Sequence, residues 1–202
     1  MTTLTSPRKH RARHIVWVVA LALATASVDA WGQTSKTTEW QRGTTLSGFG
    51  GAASLEGVTP ALGTALGWDV NPHLTIEGRG IWFPNDPGST DFFAWLGALV
   101  PFRPGGAVVP YASAGIGMYQ ATVEAGTSSV PDFYESRLHG RTRATFEDFA
   151  TAFGGGADVF VSSHFAIRPE VTVILASGGS DTRTVMVYGV NMAYHFESHK
   201  AP

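Results

Sequence analysis

The sequence predicts an all-β fold, an eight-stranded antiparallel up-and-down β-barrel whose strands cross a membrane, preceded by a cleaved signal peptide. Three observations predict it. The stretch from Ala61 to Phe83 alternates, residue by residue, between an apolar face and a face of small or charged residues. The N-terminus reads basic, then apolar, then small. Beyond it the chain breaks into eight candidate strands separated by turn formers, with no apolar run of the roughly 20 residues that a spanning helix needs.

The hairpin is the clearest of the three. Its first arm puts Leu62, Thr64, Leu66, Trp68 and Val70 on one face, and Ala61, Gly63, Ala65, Gly67 and Asp69 on the other. Its second arm separates Leu74, Ile76 and Trp82 from Thr75, Glu77 and Arg79. Successive strand residues point to opposite sides, so the faces are real surfaces. An apolar outside with a small-or-charged inside suits a strand between lipid and a narrow lumen. With Asn71-Pro72-His73 as the loop, Val70 faces Leu74, Gly67 faces Glu77 and Ala65 faces Arg79, so long charged side chains lie against almost bare backbone. A surface hairpin of a soluble β-protein also alternates, and the N-terminus shifts the balance between the two.

There, Arg8, Lys9, Arg11 and Arg13 precede the 12-residue apolar run Ile15–Ala26, and Val28 and Ala30 supply small residues before a cleavage point. That is a secretory signal peptide over residues 1–30. The run is too short for a membrane anchor. No cysteine is present, which excludes a lipoprotein anchor and disulfides. Four of the 14 basic and one of the 16 acidic residues leave with the signal; the remaining 10 against 15 give a formal net charge of −5. Nucleic acid is therefore excluded as a partner. An exported membrane chain without an apolar helix must close into a barrel, because lipid satisfies no open backbone groups.

The elements then follow in order. Residues 31–43 are a polar lead-in. Strand one runs over Thr44–Leu55, blurred by glycines, and strands two and three are the hairpin. Pro84–Asp91 is a loop rich in turn formers. Strand four is Phe92–Phe102 and strand five Tyr111–Glu124; the pattern leaves the facing of strands one, four and five open. Residues 125–147 carry Gly126, Pro131, Asp132, Gly140 and several charges, and read as one long loop. Strand six, Phe149–Val161, separates Phe149, Phe153, Val159 and Val161 from Ala150, Ala152, Gly154, Gly156 and Asp158. Strand seven, Phe165–Ala176, has Phe165, Ile167, Val171, Val173 and Leu175 outward and Arg168, Glu170 and Thr172 inward, with a bulge or break at Pro169, which cannot donate to a ladder. Strand eight, Arg183–Phe196, turns Tyr188, Val190, Met192, Tyr194 and Phe196 outward. Short connections fall at one end and the longest at the other, the asymmetry of an outer-membrane barrel.

Thr59-Pro-Ala-Leu-Gly63, Gly67-Trp-Asp-Val70, Pro110-Tyr-Ala-Ser-Ala-Gly-Ile-Gly117 and the last strand, ending in Tyr194-His-Phe196, carry a family resemblance. Over residues 44–196 the chain resembles the OmpA-type outer-membrane β-barrel family. The resemblance implies fold and location: the bacterial outer membrane, with outer-membrane lipid, lipopolysaccharide and the barrel assembly machinery as partners. None of these motifs is catalytic. The tail Glu197–Pro202 departs from the family, whose barrels usually end on the terminal aromatic, and no peptidoglycan-binding domain follows.

Two groups of residues are candidates for function. Glu77 and Arg79 on strand three, and Arg168 and Glu170 on strand seven, all face inward from opposite walls of an eight-stranded barrel. Both pairs begin four residues after a turn histidine, which puts them at similar depth. Asp158 falls opposite Arg168 across the next hairpin. A lumen just wide enough for side chains should bring these five charges into one paired layer. Trp68, Trp82, Tyr188, Tyr194 and Phe196 face outward as interface aromatics.

No catalytic, cofactor-binding or metal-binding set is expected. His73 and His164 sit in turns, His139 has only Glu135 and Ser136 near it, and Gly154-Gly-Gly156 does not join a strand to a helix as a phosphate loop would. The expected function is a non-enzymatic barrel with a plugged lumen and an envelope-structural or loop-mediated role, any extracellular partner being met through residues 125–147. A narrow solute channel, a lipid A-modifying barrel enzyme and a soluble exported β-barrel stand as alternatives.

Overall fold

The computed structural model describes residues 43–55, 57–84, 90–104, 106–125, 132–178 and 181–197. The expected signal peptide, most of the expected lead-in and the tail beyond Glu197 lie outside these residues. Eight strands form a closed antiparallel barrel in chain order: β1 (Thr44–Ser54), β2 (Val58–Asn71), β3 (Leu74–Pro84), β4 (Thr90–Pro101), β5 (Val108–Glu124), β6 (Arg143–Phe160), β7 (Phe165–Gly178) and β8 (Asp181–His195). β1 pairs with β8 from Thr45↔His195 to Ser54↔Met186, so no sheet edge is left along the wall. Among the described residues no helix is long and apolar enough to cross a membrane.

The alternation read from the sequence is the alternation of the wall. Leu62, Leu66, Trp68, Ile76, Trp82, Phe149, Phe153, Ile167, Val190 and Met192 are exposed on the outside, while Ala65, Glu77, Arg79, Ala150, Ala152, Arg168 and Glu170 are buried inside. The three strands left open resolve as follows. β1 turns Thr45, Ser47, Phe49 and Ala53 inward; β4 turns Asp91, Phe93, Trp95 and Leu99 inward; β5 turns Tyr111, Tyr119, Ala121 and Val123 inward. β4 and β5 hid their facing because this part of the lumen is itself apolar: Phe93 and Trp95 fill it while Phe92 and Leu96 face lipid. Space for Trp95 comes from Gly97 and Gly115, where a Cβ would fall on the Trp95 ring.

Four local readings are refined or changed. In the first hairpin Gly67↔Glu77 and Ala65↔Arg79 hold, but the register shifts between Asp69 and Asn71, so Asn71 rather than Val70 faces Leu74. Pro72 and His73 alone make the turn, His73 N donates to Asn71 Oδ1 (2.8 Å), and Val70 is the extra residue of a bulge. At Pro169 no register shift occurs. β6–β7 pairing stops at Gly156↔Glu170 and resumes at Val159↔Ile167 in the same register, a local break on one side of the proline.

The third change is the long loop. β6 begins at Arg143, six residues before Phe149, and pairs with β5 as far as Glu124↔Arg143. Within the remaining connection Asp132–Leu138 forms a helix, α1. Tyr134 and Leu138 of α1 are buried with Phe83, Phe93, Tyr119 and Val123, so α1 caps the barrel at the end away from Thr44 and His195. Last, β8 ends at His195; Phe196 follows it and donates its N–H to the Thr44 carbonyl (3.0 Å). Glu197 Oε2 accepts from Thr44 N (2.7 Å), so the departure from the family ending begins by fastening the β1–β8 seam.

Candidate functional site: the filled lumen

Two charged layers fill the barrel. In the lower one, towards the short turns, β3 supplies Glu77 and Arg79, β6 supplies Asp158, and β7 supplies Arg168 and Glu170. Each points inward because each sits on the inner parity of its strand. The Arg79 guanidinium donates to Glu77 Oε1 through Nη2 (2.7 Å) and Nε (3.0 Å). It also forms a fork on Glu170, through Nη1 to Oε1 and through Nη2 to Oε2 (2.9 Å). Arg168 donates Nε to Asp158 Oδ1 (2.6 Å), Nη2 to Asp158 Oδ2 (3.1 Å) and Nη1 to Glu77 Oε2 (2.9 Å).

Glu77 thus links the two arginines, and all five charged groups are joined across the lumen. Such bidentate, charge-assisted contacts are the strong class of hydrogen bond. Two aromatic residues complete the layer, and neither was named from the sequence. Tyr111 OH donates to Glu170 Oε2 (3.0 Å) and its ring lies under Arg168, 5.3 Å from Cζ. Arg79 lies over Trp95 at 5.8 Å. The tyrosine could have been found: Tyr111 and Tyr119 share one parity of β5. Asp69, nearer the turn, accepts from Thr75 Oγ1 (2.6 Å) instead of joining the layer.

The upper layer was not expected. Asp91 of β4 accepts from Tyr119 OH (2.7 Å) and from Arg183 Nη1 (3.4 Å). Asp148 of β6 accepts from Tyr134 OH (3.2 Å) and pairs with Arg137 of α1 at 3.0 and 2.9 Å. The Arg137 guanidinium sits over Phe146 at 4.6 Å, and Arg183 over Tyr134 at 5.3 Å. The hydrogen-bonded Asp148 carboxylate holds the Arg137 pKa above its ordinary value, and burial raises that of Tyr134. Arg183 was legible by period 2. Asp91 was not, because it fell in a stretch read as loop, nor was Asp148, which lay between the long loop and the start of strand six.

The interface aromatics separate by height. Trp68 and Phe196 are exposed near the turn end, where Tyr194 meets Phe165, Phe196 and the His164 ring (5.0, 5.2 and 5.7 Å between centroids). Trp82 lies at the loop end, its Nε1 donating to Thr90 Oγ1 (2.7 Å). Tyr188 sits midway along β8, between Ala52 and Val171.

The histidines serve local structure. His164 Nδ1 donates to the His195 carbonyl (2.8 Å) and His139 Nδ1 to the Arg137 carbonyl (2.8 Å). Among the described residues no cluster of three or more His, Cys, Asp or Glu could hold a metal ion. Gly154 and Gly156 give room to lumen groups, since a Cβ at Gly156 would meet Tyr111 OH at 2.8 Å and one at Gly154 would meet Thr172 Oγ1 at 2.8 Å.

Comparison with known proteins agrees with this architecture. The model of the outer membrane protein beta-barrel domain family matches residues 10–196. The structure is similar to the N-terminal β-barrel domain of Pseudomonas aeruginosa OprF, at 14% identity and TM-score 0.56 over 78% of this chain and 100% of that one. It is similar to Neisserial surface protein A, NspA, at 12% identity and TM-score 0.57 over 77% and 97%. It is also similar to Ail, the attachment invasion locus protein of Yersinia pestis, at 14% identity and TM-score 0.52 over 78% and 100%. At such identities the likeness is one of fold. No curated protein matches the chain in sequence. With its closed eight-stranded wall, apolar exterior and a family match over nearly its whole length, this chain belongs to the outer-membrane β-barrel domain family and is a bacterial outer-membrane protein.

Proposed function

We propose that the protein is a sealed, non-enzymatic barrel that reinforces the outer membrane and presents its loop end to the outside. The observation that carries this reading is the lower layer. Two guanidiniums and three carboxylates bridge opposite walls, each bonded to at least one opposite charge. An open pore needs charges that line water; here they bond to one another, and the capped mouth adds a second obstruction.

Two measurements on the full-length protein test the proposal. Proteoliposomes carrying it should swell in isotonic arabinose no faster than empty liposomes; swelling at the rate of an open porin would put a channel in its place. Lipid A from cells with and without the protein should give the same mass spectrum. A mass difference matching a lost or gained acyl chain would make the protein a lipid A-modifying enzyme.

A further inference from the structure

The closed wall has no edge, but its strands are unequal, and one edge stands beyond it. β6 has 18 residues and β7 has 14. β6 pairs with β5 as far as Glu124↔Arg143, but its pairing with β7 ends at Phe149↔Ser177. From Arg143 to Asp148, then, no strand among the described residues lies on the β7 side of β6. The Thr142 carbonyl accepts from Ala125 N (2.8 Å) and Phe160 N donates to the Ala107 carbonyl (2.8 Å), so the even-numbered residues of β6 turn to β5. Alternation along an antiparallel ladder turns the N–H and C=O groups of Arg143, Thr145 and Glu147 to the open side. On the outer face the large apolar residues of the two strands end at Met118 and Phe149, and Arg143, Thr145 and Glu147 are exposed. On the inner face Phe146 stacks on Tyr134 of α1, 5.0 Å between centroids, which holds the edge in place.

An open edge is a template for another strand. We propose that the strand it takes is the same edge of a second copy of this protein. Charge selects the copy. Edge charges ordinarily keep chains apart, but Arg143 and Glu147 are opposite in sign and equidistant from Thr145. In an antiparallel pair centred on Thr145, each Arg143 lies directly opposite the Glu147 of the other copy, on the same outer face, and the two Thr145 residues face one another. These three are also the residues whose backbone groups point to the open side, so one register satisfies backbone and charge together. Such self-complementarity about a twofold axis is what a contact between two identical surfaces requires.

The symmetry fixes the arrangement. The twofold axis of an antiparallel pair is perpendicular to its sheet. Here the sheet continues a barrel wall, so the axis crosses the barrel instead of running along it, and the two copies stand mouth to mouth in facing membranes. The partner of the outward loop end is then the loop end of a copy on a neighbouring cell; in this the inference rests on the orientation proposed above. A contact from Arg143 to Glu147 on each side is small, so it holds through many copies at once.

The test is clustering of phosphatidylcholine vesicles that carry the folded full-length protein, with heat-modifiable gel migration as the check on folding. Vesicles carrying the parent should cluster. Arg143→Glu combined with Glu147→Arg keeps both the net charge and the self-complementarity, so vesicles carrying this swapped chain should also cluster with one another. Mixed and labelled with two dyes, the two populations should cluster apart. A parent edge against a swapped edge sets like charges opposite at both ends, so mixed contacts should be at least about tenfold rarer than self-contacts. Thr145→Pro removes an N–H from the open side alone and should abolish clustering with every charge in place. Should the swapped chain not fold, Glu147→Arg by itself sets arginine against arginine and should lose clustering. No clustering by the parent, free mixing of the two populations, or undiminished clustering by folded Thr145→Pro or Glu147→Arg would overturn the proposal. Solute entry and lipid A mass, which test the function proposed above, enter none of these outcomes.

Discussion

Arg168 shows how much rests on single residues in this lumen. Its guanidinium reaches Asp158 and Glu77 and lies over Tyr111, and the residue is 3% exposed. Truncation to Ala leaves Asp158 and Glu77 short of a partner inside the wall. Breaking a buried pair from one side typically costs about 3–5 kcal/mol, and we expect that range for Arg168→Ala in urea unfolding from lipid vesicles. A loss under 1 kcal/mol would mean that water already screens the layer. Small residues matter by what they leave out. Gly115→Ala places a methyl on the Trp95 ring, and overpacking of this kind costs about 1–3 kcal/mol. Trp95 should move with it, visible as a shift in tryptophan emission. Outside, Val173→Arg puts a charge on the lipid face and should destabilise by about 2–4 kcal/mol if it lies near the midplane, whereas Thr145→Arg, exposed above the apolar band, should cost about 0–1 kcal/mol. Equal unfolding shifts for these two would contradict the boundary drawn at Met118 and Phe149.

At the scale of elements, what could be read in the sequence depended on contrast between faces. β2, β3, β7 and β8 set oily residues against small or charged ones, so their facing and much of their register were legible, and with them the lower charge layer. Where both faces are oily, as with Phe92 and Phe93 on β4, period 2 marks a strand without saying which side is in. β6 was cut short because Arg143 and Glu147, both exposed, look like loop, and Asp148 is a charge that faces the lumen. α1 has seven residues, too few for a helical period to show, and it is held by tertiary contacts of Tyr134 and Leu138. The upper layer was hidden for the same reason, since Asp148 and Arg137 meet only if both β6 and α1 are known. Its dependence on Tyr134 can be checked. Tyr134→Ala should release α1, and trypsin applied to intact cells should then cut after Arg137 much faster than in the parent. Unchanged cleavage would mean that α1 holds its place without the buried ring.

At the scale of the whole molecule, the barrel has an outside written for lipid and an inside written for itself. Closure in chain order removes every wall edge, and in the function proposed here the two charged layers close the bore. The central claim is that closure, and single-channel recording in planar bilayers tests it most directly. The parent protein should show little or no conductance, and Arg168→Ala, with Asp158 released and Glu77 held from one side only, should show openings that the parent lacks. A large, stable conductance in the parent that Arg168→Ala leaves unchanged would contradict the account and make the barrel a channel.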